Sequence, residues 1–396
     1  MLEKQAMFAI KNLNLTSGVI NTAAKLVVAG LAGLVASCVS VPPRAPGVGP
    51  AVAWTDLSGW HDDRLSQAWP ALLNSCQKIP ARNARWQDLC SDAALYPNPD
   101  DETARAFFET RFIAHEVFGH NGAADGLITG YYEPLLQGSL VMTDRFRHPV
   151  YGRPDDLVTV DLGGLYPELQ GKRFRGRLNG NRVVPYYSRA EISNGKRPPD
   201  GAVIAWVDDP VALFFLEIQG SGRIRLPEGR MLYVGYADQN GHPYVPIGRT
   251  LVESGALTLE EATMPAIRAW LRANPEKARE VLNSNPSYVF FMPRESKEAG
   301  PVGALNVPLQ PERSIAVDPN FIPLGSPVWF ETSLPGEAED RPYRRLVFAQ
   351  DTGGAIRGAV RADLFLGFGD KAERVAGALR SRGKLYVLLP RPRTLN

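Results

Sequence analysis

The chain has 396 residues, and its 44 Lys and Arg against 42 Asp and Glu give a formal net charge of +2. This near balance argues against a dedicated nucleic-acid-binding protein, which usually carries a clustered basic excess. Apolar residues make up 44% and charged residues 22%, which excludes an intrinsically disordered chain. The 37 Gly and 33 Pro favour a turn-rich, mainly β fold, and the length predicts two domains.

The N-terminus has the pattern of a secretory leader. Lys25 precedes an apolar stretch that is shorter than the ~20 residues of a membrane-spanning helix, and small residues then precede Cys38. Val35-Ala36-Ser37-Cys38 is typical of a lipobox, so residues 1–37 are predicted to be a lipoprotein signal peptide, with Met1 or Met7 as the start. Cys38 would carry the lipid, and because Val39 is not Asp, the protein would face the periplasm from the outer membrane. The alternative is an ordinary signal peptide with an incidental Cys.

A Pro- and Gly-rich tether, residues 38–52, is predicted to be extended and without a core. Helical periodicity follows. One face carries Leu65, Trp69, Leu72, Leu73 and Cys76, and the next carries Trp86, Leu89, Cys90 and Ala93. Both cysteines then point inward in an oxidising compartment, which predicts a disulfide; two buried free thiols are the alternative. A third helix is predicted over Glu102–Val117.

From Leu127 onward the period changes to that of strands. One hairpin is predicted from Leu213–Ile218 and Arg223–Leu226, and a second from Met231–Tyr236 and Tyr244–Ile247 around Asn240-Gly241. A helical pair interrupts them, with a capping box at Thr258 and Glu261 and a boundary at Asn274-Pro275. The remaining predicted strands are Tyr288–Phe291, Val328–Phe330, Leu346–Ala349 and Leu385–Leu389.

Several familiar catalytic motifs fail. His115 and His120 are separated by five positions instead of the four of a zinc-protease helix, and they are predicted to be helix-end histidines. Gly220-Ser221-Gly222 lacks the outer glycines of a nucleophile elbow, and the sequence has no phosphate-binding or dinucleotide fingerprint. No metal site and no cofactor are expected.

Three C-terminal aspartates lie beside glycine turns. Asp318 precedes a loop ending at Gly325, Asp351 follows a predicted strand and precedes Gly353-Gly354, and Asp363 comes 12 residues after Asp351. An Asp at a strand end commonly caps a turn. Their recurrence in one small β region favours a site, although spacing alone leaves both interpretations open.

These segments resemble the three-aspartate (3D) domain, and the chain as a whole resembles the membrane-bound lytic murein transglycosylase A family. The matching motifs, in order, are Thr129-Gly-Tyr-Tyr-Glu-Pro134, Ser188-Arg-Ala-Glu-Ile192, Ile218-Gln-Gly-Ser-Gly222, Tyr236-Ala-Asp-Gln-Asn-Gly-His242, Asn285-Pro-Ser-Tyr-Val-Phe-Phe291, Asp351-Thr-Gly-Gly-Ala-Ile356 and Asp363-Leu-Phe365. They cover roughly residues 127–390.

The resemblance implies a mainly β fold with peripheral helices: a double-psi β-barrel, a second β-barrel inserted into it, and a glycan groove between them. The catalytic barrel would comprise residues 53–133 and 293–396, with the 3D region at about 310–390, and the substrate-binding insertion residues 134–292. By the same resemblance Asp363 is the catalytic residue, Asp351 its supporting neighbour and Asp318 a structural third member.

The implied reaction cleaves the β-1,4 bond between N-acetylmuramic acid and N-acetylglucosamine in peptidoglycan without water. Ordinary glycosidases need two carboxylates. Here the C6 hydroxyl of the same muramic residue attacks, and because it is already tethered, no protein nucleophile is required. Asp363 would act as acid and then as base, so we expect its pKa to be raised by partial burial and by the Asp351 charge.

Groove residues are predicted from residue type. Aromatic and carboxylate side chains at Tyr131, Tyr132 and Glu133 suit sugars, although one of the two alternating tyrosines should be core. Glu133 is assigned to binding because the family position can carry Thr. A turn rich in polar groups adds Gln219, Gly220 and Ser221, and Tyr236 and Asp238 form a similar set. Phe365 departs from the Tyr that relatives often have there.

Three alternatives remain open. The aspartates could hold Mg²⁺ or Ca²⁺ in a metal-dependent hydrolase, water could replace the C6 hydroxyl as in a lysozyme, or the protein could bind glycan without cleaving it. The expected partners are peptidoglycan glycan strands, the outer membrane through the lipid anchor, and cell-wall synthesis enzymes. No nucleic acid is expected.

Overall fold

A computed structural model describes residues 45–79, 83–196, 203–294, 300–336 and 339–392, without the side chain of Asn121. The predicted signal peptide and the lipidation site Cys38 lie outside these ranges. Within them, no helix has both the length and the apolar character needed to cross a membrane.

Strands and helices alternate irregularly along the described ranges. The strands are β1 Gly47–Val52, β2 Phe112–Phe118, β3 Gly126–Glu133, β4 Leu135–Ser139, β5 His148–Tyr151, β6 Val158–Val160, β7 Phe174–Asn179, β8 Arg182–Val184, β9 Val203–Val207, β10 Ser221–Arg225, β11 Met231–Gln239, β12 Val289–Arg294, β13 Ser314–Val317, β14 Pro327–Leu334, β15 Arg341–Asp351, β16 Arg361–Phe368 and β17 Arg380–Pro390. The helices are α1 Trp69–Cys76, α2 Ala84–Ala94, α3 Asp101–Arg111, α4 Arg189–Ser193, α5 Pro210–Gln219, α6 Ile247–Glu253, α7 Met264–Ala273, α8 Pro275–Asn283 and α9 Asp370–Ala378.

The first sheet closes into a barrel. Its strands follow the order β17-β14-β15-β13-β16-β3, and β3 pairs back onto β17, while β2 and β1 extend the sheet beyond β17. Alternate side chains of these strands, including Ile128, Ile315, Ala362 and Leu364, fill the interior. Strands from both ends of the described chain therefore build one barrel.

A second sheet is built from the middle of the chain. Its order is β12-β11-β10-β4-β9-β5, and an isolated parallel bridge between Gly152 and Phe291 brings its two ends together. Helices α5 to α8 pack their apolar residues against one another beside it. Strands β6 to β8 form a small separate sheet. The prediction of a mainly β fold with two barrels and peripheral helices is confirmed.

The helices before β2 cover one side of the first barrel. Trp69, Leu72, Phe108 and Phe112 form a common core with outward side chains of the barrel such as Trp329. This cover explains why Val328–Phe330 of β14 and Leu346–Ala349 of β15 are apolar on both faces. A disulfide joins Cys76 at the end of α1 to Cys90 in α2.

The disulfide should contribute measurably to stability. Cys76 and Cys90 are 14 positions apart, and closing such a loop in the unfolded chain is worth about 3 kcal/mol. We expect Cys76→Ser with Cys90→Ser to lower the free energy of unfolding by about this amount in urea titrations. Dithiothreitol should shift the wild-type midpoint and leave that of the double variant alone. Equal wild-type midpoints with and without reductant would contradict this role.

Two segments near the start of the described chain differ from the sequence predictions because tertiary pairing overrides local pattern. Residues 112–118 form β2 between β1 and β17, so the third helix ends at Arg111 and His115 lies on a strand. Residues 47–52 of the predicted tether are paired as β1. Short apolar segments such as these are decided by the partners available to their backbone.

Both predicted hairpins were wrong. Leu213–Ile218 belongs to α5, whose N-terminus is capped by the Asp209 carboxylate and whose last turn ends at Gly220 with φ of +75°. Most of the helix is apolar because it is buried between two clusters. Tyr244–Ile247 is not a strand: β11 pairs instead with β10 and β12. Asn240 is buried and its side chain bridges the Tyr187 and Pro286 carbonyl oxygens.

The other helix and strand predictions agree with the structure. The Thr258 and Glu261 side chains exchange the reciprocal hydrogen bonds of a capping box, although in a turn just before α7. Asn274-Pro275 separates α7 from α8, and the four predicted strands from Tyr288 onward lie within or overlap β12, β14, β15 and β17.

Candidate active site

Two of the three aspartates lie in one row on the outside of the first barrel. Ala316 of β13 is aligned with Asp351 of β15 on one side and with Asp363 of β16 on the other. Asp363 is aligned in turn with Thr129 of β3. Because aligned residues point to the same face and their neighbours Ile315 and Ala362 point into the core, this row faces outward.

Asp363 is held by a single side-chain hydrogen bond. The Thr129 hydroxyl donates to its Oδ1 at 2.6 Å, and no described residue donates to its Oδ2. Burial raises the pKa of Asp363, while the Thr129 hydrogen bond and the Arg361 charge oppose that rise. The result is an oriented carboxyl group that keeps its proton to higher pH than an ordinary Asp and has one free oxygen.

Asp351 is more fully engaged by the protein. Its Oδ1 accepts the Ala304 backbone N–H at 2.9 Å, and its Oδ2 accepts the Tyr131 hydroxyl at 2.9 Å. Burial raises the pKa of Asp351, the charge of Asp363 adds to the rise, and these hydrogen bonds counteract it. Both oxygens of Asp351 are therefore committed to positioning neighbouring groups.

Asp318 contacts other residues than Asp351 and Asp363 do. It is buried, and its oxygens accept the Gly358 N–H at 2.9 Å and the Asn320 N–H and side-chain amide. These hydrogen bonds lower its pKa although burial acts in the opposite direction. Asp318 thus ties two loops together. Within the described ranges no group of three His, Cys, Asp or Glu side chains is placed to hold a metal ion.

The two adjacent tyrosines of β3 point in opposite directions. Tyr131 packs against Phe365, with ring centroids 5.2 Å apart, beside Asp351. Tyr132 is buried under α9, and its hydroxyl accepts a hydrogen bond from Arg268 at 2.9 Å. Only Tyr131 lies beside the aspartates. Phe365 is buried, and its ring contributes an aromatic contact to Tyr131.

Glu133 does not present its carboxylate to a groove. Its side chain is 1% exposed, and its two oxygens pair with Arg223 at 3.1 Å and with Arg294. Arg223 also stacks on Phe368 of the first barrel, with its guanidinium carbon 3.5 Å from the ring centroid. Glu133 therefore joins the two barrels where the chain passes between them, and its carboxylate is occupied by two arginines.

Of the predicted binding residues in the second barrel, some are exposed and others already form ion pairs or hydrogen bonds within the protein. Tyr236 is 45% exposed. Asp238 is buried and paired with Arg153 at 3.3 Å and Arg175 at 3.0 Å, so its oxygens are neutralised. The Gln219 side chain accepts the Tyr132 N–H at 3.0 Å, across the junction of the barrels. Gly220 remains half-buried at the end of α5, and Ser221 is buried at the start of β10.

Two side chains beside Asp363 had not been singled out from the sequence. Thr129 is the first residue of the motif Thr129–Pro134. A Thr in a strand gives no local sign that its hydroxyl contacts an Asp 234 positions away. Arg361 is two residues before Asp363 on β16, and strand alternation could have placed both on one face.

Comparison with known proteins gives the family. Residues 127–292 match the MltA specific insert domain and residues 313–389 the 3D domain. Membrane-bound lytic murein transglycosylase A of Escherichia coli K12 is 33% identical over 307 residues, 74% of this chain and 76% of that protein. The Vibrio cholerae protein of the same name is 31% identical over 69% of this chain and 68% of its own length. The chain belongs to the membrane-bound lytic murein transglycosylase A family.

Solved structures of this family have the same fold. MltA of Neisseria gonorrhoeae superposes with a TM-score of 0.76 at 36% identity, covering 89% of this chain and 97% of that one. MltA of E. coli with bound chitohexaose superposes with a TM-score of 0.65 at 26% identity, covering 89% and 94%. As a member of the MltA family the chain is an enzyme of the peptidoglycan lytic transglycosylase class.

Proposed function

We propose that this MltA-family enzyme cleaves the β-1,4 bond between N-acetylmuramic acid and N-acetylglucosamine and forms a 1,6-anhydromuramic end, with Asp363 as the only catalytic carboxylate. The observation that carries this proposal is the contrast between Asp363 and its acidic neighbours. Asp363 has a raised pKa and one free oxygen, whereas both oxygens of Asp351 and of Glu133 are already engaged.

The proposed chemistry balances without water. Asp363 delivers its proton from Oδ2 to the leaving O4 of N-acetylglucosamine as the C1–O4 bond breaks. The muramic C6 oxygen attacks C1, and its hydroxyl proton passes to the Asp363 carboxylate, which regenerates the acid. An attached hydroxyl has a high effective concentration, so a second carboxylate to activate water is not needed.

Asp351, Tyr131 and Thr129 position this acid. Asp351 fixes the Tyr131 ring beside Phe365 and holds the backbone at Ala304, which supports one wall of the site. We further propose that glycan lies along the outer row of the first barrel and extends toward the exposed Tyr236 ring of the second. Residues 53–133 with 293–396 would form the catalytic barrel and 134–292 the insertion.

The cellular setting is proposed from the sequence and the family. A lipid on Cys38 would anchor the protein to the outer membrane facing the periplasm, where peptidoglycan strands are accessible for turnover. The relatives are named membrane-bound murein enzymes, in agreement with this location. Association with cell-wall synthesis enzymes is part of the same proposal.

Product analysis tests the proposal. Residues 39–396, without the lipid anchor, would be incubated with purified peptidoglycan in EDTA, and soluble products examined by mass spectrometry. We expect disaccharide peptides one water lighter than hydrolysis products and resistant to borohydride reduction. Reducing ends would overturn the anhydro mechanism, loss of activity in EDTA would favour the metal-dependent hydrolase, and no soluble product would favour a glycan-binding protein.

The Thr129 hydroxyl should influence the pKa of Asp363 and therefore the pH dependence of the reaction. Its hydroxyl stabilises the ionised form of Asp363, so Thr129→Val should raise the pKa of Asp363 further. Because the reaction needs protonated Asp363, its rate falls as pH rises through that pKa, and the variant's descending limb should move to higher pH. The measurement is kcat/KM against pH. Thr110→Val, which removes a hydroxyl bonded only to backbone on α3, is the matched control; an unmoved limb in Thr129→Val would refute the assignment.

A further inference from the structure

The barrel face that carries Asp363 also carries three arginines in two adjacent rows. Thr129 is aligned with Arg380 of β17, and Leu127 is aligned with both Arg361 of β16 and Arg382 of β17. Aligned residues of neighbouring strands share a face. These arginines, which we call the arginine strip (Arg361, Arg380 and Arg382), therefore emerge on the same outer surface as the acid.

Most of the charge of the arginine strip is not neutralised by the protein. Arg382 pairs with Asp125 at 2.5 Å. Arg361 donates from Nη1 to the Ala362 and Leu127 carbonyl oxygens at 2.6 and 3.4 Å, which fixes the guanidinium, and its charge acts on Asp363 although the two form no ion pair. Among the described residues, no partner meets its other nitrogens, and none forms an ion pair with the exposed Arg380. Two guanidinium groups thus remain available to an anionic ligand.

The arginine strip lies close to the bond that would be cleaved. Neighbouring strands are about 4.8 Å apart, so the Cα atom of Arg380 is about 10 Å from that of Asp363, two strands away. Arg361 is two residues from Asp363 along β16, or about 7 Å. Both side chains are long enough to reach groups attached to the sugar that contacts Asp363.

We propose that the arginine strip binds the carboxylates of the stem peptide carried by the N-acetylmuramic acid at the cleavage site. This inference rests on the proposed function. In peptidoglycan the peptide begins at the lactyl group on C3 of that sugar, within a few ångströms of the bond broken, and it bears several carboxylates. The planar fork of a guanidinium matches a carboxylate in geometry and charge. The strip would make this enzyme favour peptide-bearing strands.

The test compares two substrates that differ only in the peptide. Glycan strands are assayed with peptides attached and after an amidase has removed the peptides. The quantity determined is kcat/KM for the peptide-bearing strands divided by kcat/KM for the peptide-free strands. For Arg361→Gln with Arg380→Gln we expect this ratio to fall about five- to tenfold, the range for one half-buried and one exposed ionic contact. Using the ratio cancels any effect of Arg361 on Asp363 itself, because that effect is common to both substrates.

Controls separate charge at this site from charge in general. Arg230→Gln on the second barrel removes an exposed guanidinium paired with Glu228 and should leave the ratio unchanged. Raising the salt concentration from about 0.05 to 0.5 M should lower the wild-type ratio and have less effect on the double variant. Arg380→Gln alone, at an exposed position without an ion pair among the described residues, provides a variant whose folding is not at risk.

An unchanged ratio in the folded variants would overturn the proposal. Equal losses of kcat/KM on both substrates would also overturn it, because they would show that the arginines act on the sugar or on Asp363. Failure of the proposed function can be distinguished from failure of this proposal. If the proposed function is wrong, the wild-type protein makes no anhydro ends. Co-sedimentation of Asp363→Asn with peptide-bearing and with peptide-free peptidoglycan still measures binding by the arginine strip. Stronger retention on the peptide-bearing material, lost with the two arginines, supports it.

Discussion

Asp363→Asn is expected to lower kcat for anhydro-product release by about 10²- to 10⁴-fold, the contribution of a positioned general acid. Asn can still accept the Thr129 hydrogen bond that Oδ1 now accepts at 2.6 Å, so the local geometry should survive. It has no proton to deliver to the leaving oxygen and cannot accept one from the C6 hydroxyl. Both halves of the reaction therefore fail together.

The same substitution should stabilise the protein at neutral pH. The pKa of Asp363 is raised in the folded state by burial, so the folded state holds its proton more tightly than the unfolded state. Such a group contributes stability below its unfolded pKa, and this is lost as pH rises through its folded pKa. Asn at this position carries no such loss. We expect urea midpoints for wild type and variant to diverge as pH increases.

Two comparisons make the result specific. Asp340→Asn, at an exposed position, should change neither kcat nor the pH dependence of stability. Asp351→Asn should weaken its contacts with Tyr131 and Ala304 and reduce activity less than Asp363→Asn. If Asp363→Asn retained full activity while Asp351→Asn abolished it, the roles of the two aspartates would be reversed.

Glu133→Ala is expected to lower the free energy of unfolding by about 3 to 5 kcal/mol, the cost of removing one partner from a buried ion pair. Glu133 is 1% exposed and pairs with Arg223 and Arg294, whose side chains are 16% and 9% exposed. Truncation would leave two guanidinium groups facing each other at the junction of the barrels. Repulsion between them should add to the loss.

The measurement is urea unfolding together with kcat of the folded protein. Glu228→Ala is the matched control, because it also removes an Arg partner but is 56% exposed, and pairs of this kind contribute about 1 kcal/mol or less. If Glu133 were instead a second catalytic carboxylate, its conservative variant Glu133→Gln would unfold like wild type and lose kcat. That result would favour a two-carboxylate mechanism over the single acid proposed here.

Local pattern was sufficient where one segment determines its own structure. The inward faces of α1 and α2 follow from helical periodicity around Trp69 and Trp86. Asn274-Pro275 separates two helices by the backbone restriction of proline. These features depend on residues close in sequence, whose side-chain directions are fixed by the backbone period.

Tertiary structure decided everything that depends on partners far apart in the chain. Residues 112–118 become a strand because β1 and β17 flank them, and Leu213–Ile218 becomes a helix because two apolar clusters bury most of its side chains. A short apolar run satisfies either period, so burial and pairing choose between them.

The site shows the same division. Sequence distinguished Asp363 as a candidate, but only barrel closure aligns it with Thr129 and places Arg380 beside that residue. Glu133 carries the residue type of a sugar ligand or a second catalyst, and the fold pairs it with two arginines 90 and 161 positions away. A carboxylate has the same covalent chemistry everywhere; the groups that surround it determine whether it donates a proton or balances a charge.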